Sequence, residues 1–336
     1  MKKYIIFTLA LLVLLSSLPA CAARELYCEG EGELKVLCTV FAPFDFAREI
    51  GGERVTVTLL QDNGADLHNY SPTSATLEAL SSADVFIYVG GTSDEAWVYS
   101  AIEASGNTSL RTVCLIDCID GIHAELENDW SDDDHDHSHG DADGGHHSSH
   151  AHEGDHEGHD HSADEHVWTS LRNVKAISLE IEEAFASASP EDADYFSACA
   201  QDFIAELDAL DASFAAAAEA SNRKSIVFAD RFPFVYLMHD YHIPYVAAFS
   251  GCSSEVNASF ETQIKLIEAV RKDNLGYVLT TEGNGKSLAK SVSTETGCLV
   301  RSLDSLQSVT RDDIESGVTY LDVMRKNLSV IKEVLS

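Results

Sequence analysis

A two-lobed α/β fold is the architecture this sequence predicts, and three features predict it. Short apolar strand-like runs alternate with helical stripes from Leu34 onward, the pattern of mainly parallel sheets covered on both faces. One long stripe at helical spacing, Tyr195, Cys199, Phe203, Leu207, Leu210 and Phe214, interrupts that alternation over 189–220. The alternation then restarts and runs to the C-terminus. The expectation is two lobes, each a mainly parallel four-stranded sheet with flanking helices, joined by one long backbone helix. At ~1.5 Å per residue, roughly thirty helical residues span ~45 Å, enough to cross one lobe and reach the next.

Taken in order, the chain opens with MKKYIIFTLALLVLLSSLPAC. Lys2 and Lys3 precede an apolar run that is too short for a membrane span of ~20 residues, so it reads as an export signal. Leu18-Pro19-Ala20-Cys21 resembles the bacterial lipobox, which makes Cys21 the expected lipidation site and anchors the protein outside the cytoplasm on the cell membrane. Residues 22–33 are expected to be a tether. In the N-terminal lobe, 34–188, strands are expected at 34–43, 55–60, 85–89 and 112–116, with helices at 44–50, 73–80 and 94–104. After residue 163 the stripe Val174, Ile177, Ile181, Phe185 marks a further helix. Ser189-Pro190-Glu191-Asp192 supplies an N-cap and a first-turn proline for the linking helix, 189–220. In the C-terminal lobe, 221–336, strands are expected at 225–229, 245–249, 277–281 and 299–303. Helices are expected there at 232–241, 259–270, 286–296 and 317–335.

Within the first lobe, residues 131–163 break every pattern. Ten of the fifteen histidines lie there: His135, His137, His139, His146, His147, His150, His152, His156, His159 and His161. They alternate with Asp, Glu, Gly and Ser, and no apolar residue between them is larger than Ala. Such a segment has nothing to bury and cannot offset the entropy of ordering. It reads as a disordered loop whose imidazoles and carboxylates bind divalent metal weakly. His166 stands just past it, where the apolar pattern resumes, and belongs to an ordered site.

The formal net charge is −34. A surface this acidic lacks the basic footprint of a nucleic-acid binder and is compatible with cations as ligands. Of eight cysteines, none shows zinc-ribbon spacing. Cys114-x3-Cys118 lies in an apolar context, and the cysteines read as small buried hydrophobes rather than metal ligands. Export permits disulfides, and Cys252 with Cys298 is the first pair to check. There is no HExxH motif and no paired general base, which argues against a metalloenzyme.

Three motifs carry a family resemblance. They are Gly64-Ala65-Asp66-Leu67-His68-Asn69-Tyr70-Ser71-Pro72, then Asp164-Glu165-His166-Val167-Trp168, then Ser302-Leu303-Asp304-Ser305-Leu306 followed by Tyr320 and Asn327. In this order, with a His-rich insertion before the second, they are similar to those of the zinc- and manganese-binding lipoproteins of bacterial ABC importers. The resemblance covers Leu34 to Leu335. It implies a monomeric receptor, not an enzyme, that delivers Zn2+ to an ABC permease, with Mn2+ as the alternative cargo and a surface adhesin as an alternative role. It implies His68, His166 and Asp304 as metal ligands, and a long helix that restrains lobe motion. One departure stands out. The family's third ligand, a His or Glu at the start of the first helix of the second lobe, aligns with Arg231, which is always protonated and cannot coordinate a metal. Asp230 is the candidate substitute, with a water as another; alternatively Arg231 pairs with an acid such as Glu282 and leaves three ligands. His239 and His242 are candidates by residue type only and read as surface residues.

Overall fold

The computed structural model describes residues 26–61, 70–91, 94, 97–119, 164–221, 225–251, 258–283, 286–307 and 309–336. In the N-terminal lobe, β1 (Tyr27–Glu29), β2 (Leu34–Cys38), β3 (Val55–Leu59), β4 (Val85–Tyr88) and β5 (Arg111–Cys114) form a sheet ordered β1-β3-β2-β4-β5. β2 to β5 run parallel, as expected. β1 is an addition: it pairs antiparallel with β3, Tyr27 opposite Leu59, in a stretch expected to be a tether. The Tyr27 ring lies 5.7 Å from that of Phe44, and Thr56 Oγ1 donates to Gly32 O at 2.7 Å. These contacts hold an edge strand that a period-two reading of three residues could not reveal.

Helices α1 (Phe41–Gly51), α2 (Ser74–Ser82) and α3 (Val98–Ser105) connect these strands, and α4 (Leu171–Ala188) leads to the linking helix α5 (Ala193–Glu219). The second sheet, β6 (Ile226–Phe232), β7 (Tyr245–Ser250), β8 (Tyr277–Thr280) and β9 (Leu299–Ser302), is wholly parallel and ordered β7-β6-β8-β9. It alternates with α6 (Val235–Asp240), α7 (Phe260–Lys272) and α8 (Ser287–Thr296), and α9 (Arg311–Glu315) and α10 (Tyr320–Leu335) close the chain.

The linking helix starts after a 3-10 turn at Pro190–Asp192 and is 27 residues long. Its buried face is Phe196, Ala200, Phe203, Leu207, Leu210 and Phe214, alternating four and three positions apart. The expected Tyr195 and Cys199 are one position off this stripe. Tertiary contacts set the phase: Phe196 meets Phe185 edge-on at 5.4 Å, while the Tyr195 hydroxyl turns outward to accept from Glu53 N at 3.3 Å.

One hydrophobic core passes through both lobes. Val36, Val57 and Ile87 of the first sheet join Ile177, Phe203 and Leu207 of α4 and α5, then Phe228 and Phe232 of the second sheet and Met324 and Ile331 of α10. Smaller clusters fill the outer faces, under α2 and α3 in one lobe and under α7 and α8 in the other. Cys298, half of the suggested disulfide, is a buried free thiol, and Cys252 lies outside the described residues. Among the described residues no helix is long and apolar enough to cross a membrane.

The last helix crosses back to the first lobe. Tyr320 N donates to Asp45 Oδ2 at 2.7 Å, and the Tyr320 ring sits edge-on to Phe46 at 5.0 Å. Asp45 is 1% exposed, and burial pushes its carboxyl up to about 7, against an ordinary value of 3.8. Between those values the native chain holds a proton that the unfolded chain has released, so this group's contribution to stability declines as pH rises from 3.8 through about 7. Asp45→Asn, which keeps an acceptor for Tyr320, is expected to raise stability modestly at pH 5 and by more at pH 8. Urea midpoints at the two pH values measure this; an equal change at both would contradict it.

Candidate metal site at the junction of the lobes

The functional geometry begins with the segment 164–170. Asp164, Glu165 and His166 are 0%, 1% and 0% exposed, unusual for three polar residues in a row. A 3-10 turn at Val167–Thr169 follows, and Ser170 caps α4 by accepting from Asn173 N at 3.0 Å. Elements of the second lobe pin the segment from several sides. Tyr236 of α6 donates to Asp164 O at 2.9 Å, and Trp168 Nε1 donates to Ser305 O at 2.9 Å. Tyr320 of α10 donates to Trp168 O at 2.8 Å, and Ser170 Oγ donates to Asp240 Oδ2 at 2.5 Å.

Asp164 orients the histidine. Its Oδ1 accepts from His166 N at 2.8 Å and lies 2.9 Å from His166 Nδ1. A carboxylate only accepts, so Nδ1 carries the proton, and in the neutral ring this is the tautomer that leaves the Nε2 lone pair for a metal. Among the described residues, Asp164 Oδ2 is buried without a hydrogen-bond partner. Two glycines, one from each lobe, let the backbone pack closely on this segment. A Cβ at Gly251, just past β7, would stand 2.8 Å from Asp164 Oδ2 and 3.0 Å from His166 Nδ1. Gly91, past β4, has φ +72°, and a Cβ there would stand 2.7 Å from Glu165 Oε1.

Facing Nε2 of His166 is the carboxamide of Gln307. The loop that delivers it is built from local hydrogen bonds. Asp304 exchanges backbone bonds with the Asn327 side chain at 2.9 and 2.8 Å, and its Oδ1 accepts from Leu306 N at 2.9 Å. Leu306 takes a left-handed conformation, φ +65°. Both oxygens of Glu282 hold Ser305, at 2.8 Å to its N and 2.6 Å to its Oγ. Burial, then the neighbouring Glu282, raises the Asp304 carboxyl to about 6.

The predicted site residues therefore fall into three groups. His166 and the 304–307 loop meet at the lobe junction, with Gln307 rather than Asp304 against the imidazole. Asp230 is engaged by hydrogen bonds within the second lobe. It sits where β6 shifts register between Phe228 and Arg231, and such a bulge re-aims a side chain. Its Oδ2 accepts from Thr280 Oγ1 at 2.6 Å, Thr281 Oγ1 at 2.7 Å and Thr281 N at 3.2 Å, while Oδ1 accepts from Arg231 N at 2.9 Å. Its carboxylate ties β6 to the end of β8. Arg231 lies on β6, which continues to Phe232, rather than at a helix start; α6 begins at Val235. His68, Cys21 and the ten histidines from His135 to His161 lie outside the described residues. Among the described residues no three His, Cys, Asp or Glu side chains are grouped to hold a metal ion.

The family model for zinc-uptake complex component A, periplasmic, matches residues 36–334. The chain belongs to this family. It is 28% identical over 334 residues to the zinc-binding lipoprotein AdcA of Streptococcus pneumoniae TIGR4, an alignment covering 99% of this chain and 61% of that protein. The chain thus spans about six-tenths of the length of the AdcA relatives it matches. The high-affinity zinc uptake system protein ZnuA of Bacillus subtilis is 24% identical over 307 residues, covering 90% of this chain and 88% of that one. Among solved structures, the Zn(II)-bound ZnuA-like domain of S. pneumoniae AdcA aligns with a TM-score of 0.68 and 24% identity, covering 90% and 99% of the two chains. The metal-dependent lipoprotein YcdH of B. subtilis aligns at 0.71 and 21%, covering 90% and 100%. These likenesses support the two-sheet fold with its long helix.

Within this ZnuA-type fold, sequence reasoning missed Asp164, Gln307 and Gly251 as parts of the site. Asp164 was legible, since an acid two residues before a buried histidine is placed to orient it. Gln307 and Gly251 carried no such signal, because the tertiary approach of two loops gives each its position.

Proposed function

We propose that this chain is a receptor that captures Zn2+ outside the cytoplasm between its two lobes and passes it to the permease of an ABC importer. The observation that carries the reading is His166. It is fully buried at the lobe junction, with Nδ1 bonded to Asp164 and Nε2 presented to a loop of the other lobe. His68 supplies the second imidazole, and the 304–307 loop supplies oxygen, from the Asp304 carboxylate or the Gln307 carboxamide. Two imidazoles with oxygen donors suit four-coordinate Zn2+, and such a site favours Zn2+ over Mn2+ in intrinsic affinity. The family membership and the zinc-binding names of the relatives support the same cargo. The role is binding rather than catalysis.

In this reading, lipidated Cys21 anchors a monomer to the membrane, and the lobes comprise 34–188 and 221–336 about the linking helix. The loop 131–163 raises the local metal concentration through weak, exchangeable sites. Lobe opening is small, because the core runs through both lobes. Each 100 Å2 of it uncovered costs about 2.5 kcal/mol.

Metal analysis of the purified chain after exposure to mixed Zn2+ and Mn2+ tests the proposal. Tightly held Zn2+ is expected in the wild type and after deletion of 131–163, and its loss is expected in His68→Ala. Unchanged affinity in His68→Ala, or preferential retention of Mn2+, would refute the assignment.

A further inference from the structure

We propose a second cation site on the outer surface of the C-terminal lobe, formed by His239 and His242 and taking imidazole-seeking divalent ions such as Zn2+, Ni2+ or Cu2+. Both histidines are exposed, and their ring centroids lie 6.3 Å apart with the planes at 70°. They line one open cavity of about 410 Å3 with Met238, Ile243 and Tyr245. Around a shared Zn2+, with Zn–N of about 2.0–2.1 Å and near-tetrahedral angles, two imidazole centroids stand about 5 Å apart. The remaining gap of about 1 Å closes by a small side-chain rotation, open to exposed rings without backbone movement.

The backbone holds the pair in this arrangement. His239 lies in the last turn of α6, and His242 N donates to His239 O at 3.2 Å. His242 itself has φ +52°, where glycine would be unstrained, and residues held in such conformations concentrate at functional positions. Asp240, between them in sequence, is not a third donor of choice, because its Oδ2 accepts from Ser170 Oγ at 2.5 Å. Water completes the coordination. Imidazole donors exclude Mg2+ and Ca2+, which take oxygen. The net charge of −34 raises the concentration of cations near the surface. The site is separate from the buried one: α6 turns Tyr236 inward to Asp164, while His239 near its end and His242 in the turn after it are exposed.

Carbethoxylation of histidines in the full chain, read by mass spectrometry with Zn2+ alone as the probe, tests the pair residue by residue. Labelling of His239 and His242 is expected to fall together, by about tenfold when free Zn2+ exceeds the dissociation constant tenfold. In His239→Ala the protection of His242 disappears. In His242→Gly, which keeps the positive φ without strain, the protection of His239 disappears. Protection that persists on the remaining histidine of either variant, or that is absent from the wild type at millimolar Zn2+, overturns the proposal. His166→Ala is expected to leave the paired protection intact. Loss of protection there would also overturn it, since the pair would then have no site of its own. If instead tight binding survives in His166→Ala, the receptor reading fails while the surface pair stands or falls on its own labelling.

Discussion

His166→Ala is expected to lower Zn2+ affinity by more than any other substitution among the described residues. The imidazole is wholly buried, its neighbours leave no room for rearrangement, and alanine offers no donor. Removing a partner that only orients a ligand typically costs 10–100-fold in metal affinity, so losing the ligand itself should cost well beyond that. Asp164→Asn provides the internal scale. It keeps the size of the side chain but removes the charge that fixes the Nδ1–H tautomer, and a loss of about 10–100-fold is expected. Competition titration against a chelator of known affinity measures both. If the two variants lose the same amount, or if His166→Ala binds as tightly as the wild type, His166 is not the ligand that Asp164 orients.

The largest expected loss of stability falls on Trp168→Ala. The side chain is 1% exposed and packs within the core shared by both lobes, and its Nε1 bridges to Ser305 O. A buried tryptophan cut to alanine costs about 3–5 kcal/mol, and Ser305 O would also lose its donor. At roughly 2–4 °C per kcal/mol for a chain somewhat shorter than this one, Tm should fall by about 10 °C. The effect should reach the site as well. Ser305 is held by Glu282 and starts the turn that carries Gln307 to His166, so loosening the bridge frees that loop. Trp168→Phe, which restores the apolar volume without the donor, is expected to recover most of the stability and less of the metal affinity. Full recovery of affinity would show that the Nε1 bond does not steady the loop.

Much of this was legible before any coordinates. The four parallel strands of each lobe announced themselves as apolar runs between helical stripes, because burial on both faces leaves a continuous hydrophobic signature. The linking helix announced itself through a stripe from Tyr195 to Phe214, although its first turn was phased one residue early. β1 was not legible: three residues paired at a sheet edge carry too little periodicity to stand out from a tether. The bulge in β6 was not legible either, and it set the hydrogen-bond partners of Asp230. The sequence offered a carboxylate beside Arg231, while strand register turned it toward Thr280 and Thr281.

By composition and pattern alone, the chain determined its class, its division into two lobes, a histidine-rich insertion and a histidine at the close of that insertion. Those properties are local, since hydrophobic period and residue type are written along the polymer. Only the tertiary structure decided what meets His166. Gly251 follows it by 85 residues and Gln307 by 141, and they reach it because two mainly parallel sheets turn loops toward each other across one core. Contacts at that separation depend on how whole elements pack, and a linear pattern carries no record of which loop ends opposite which.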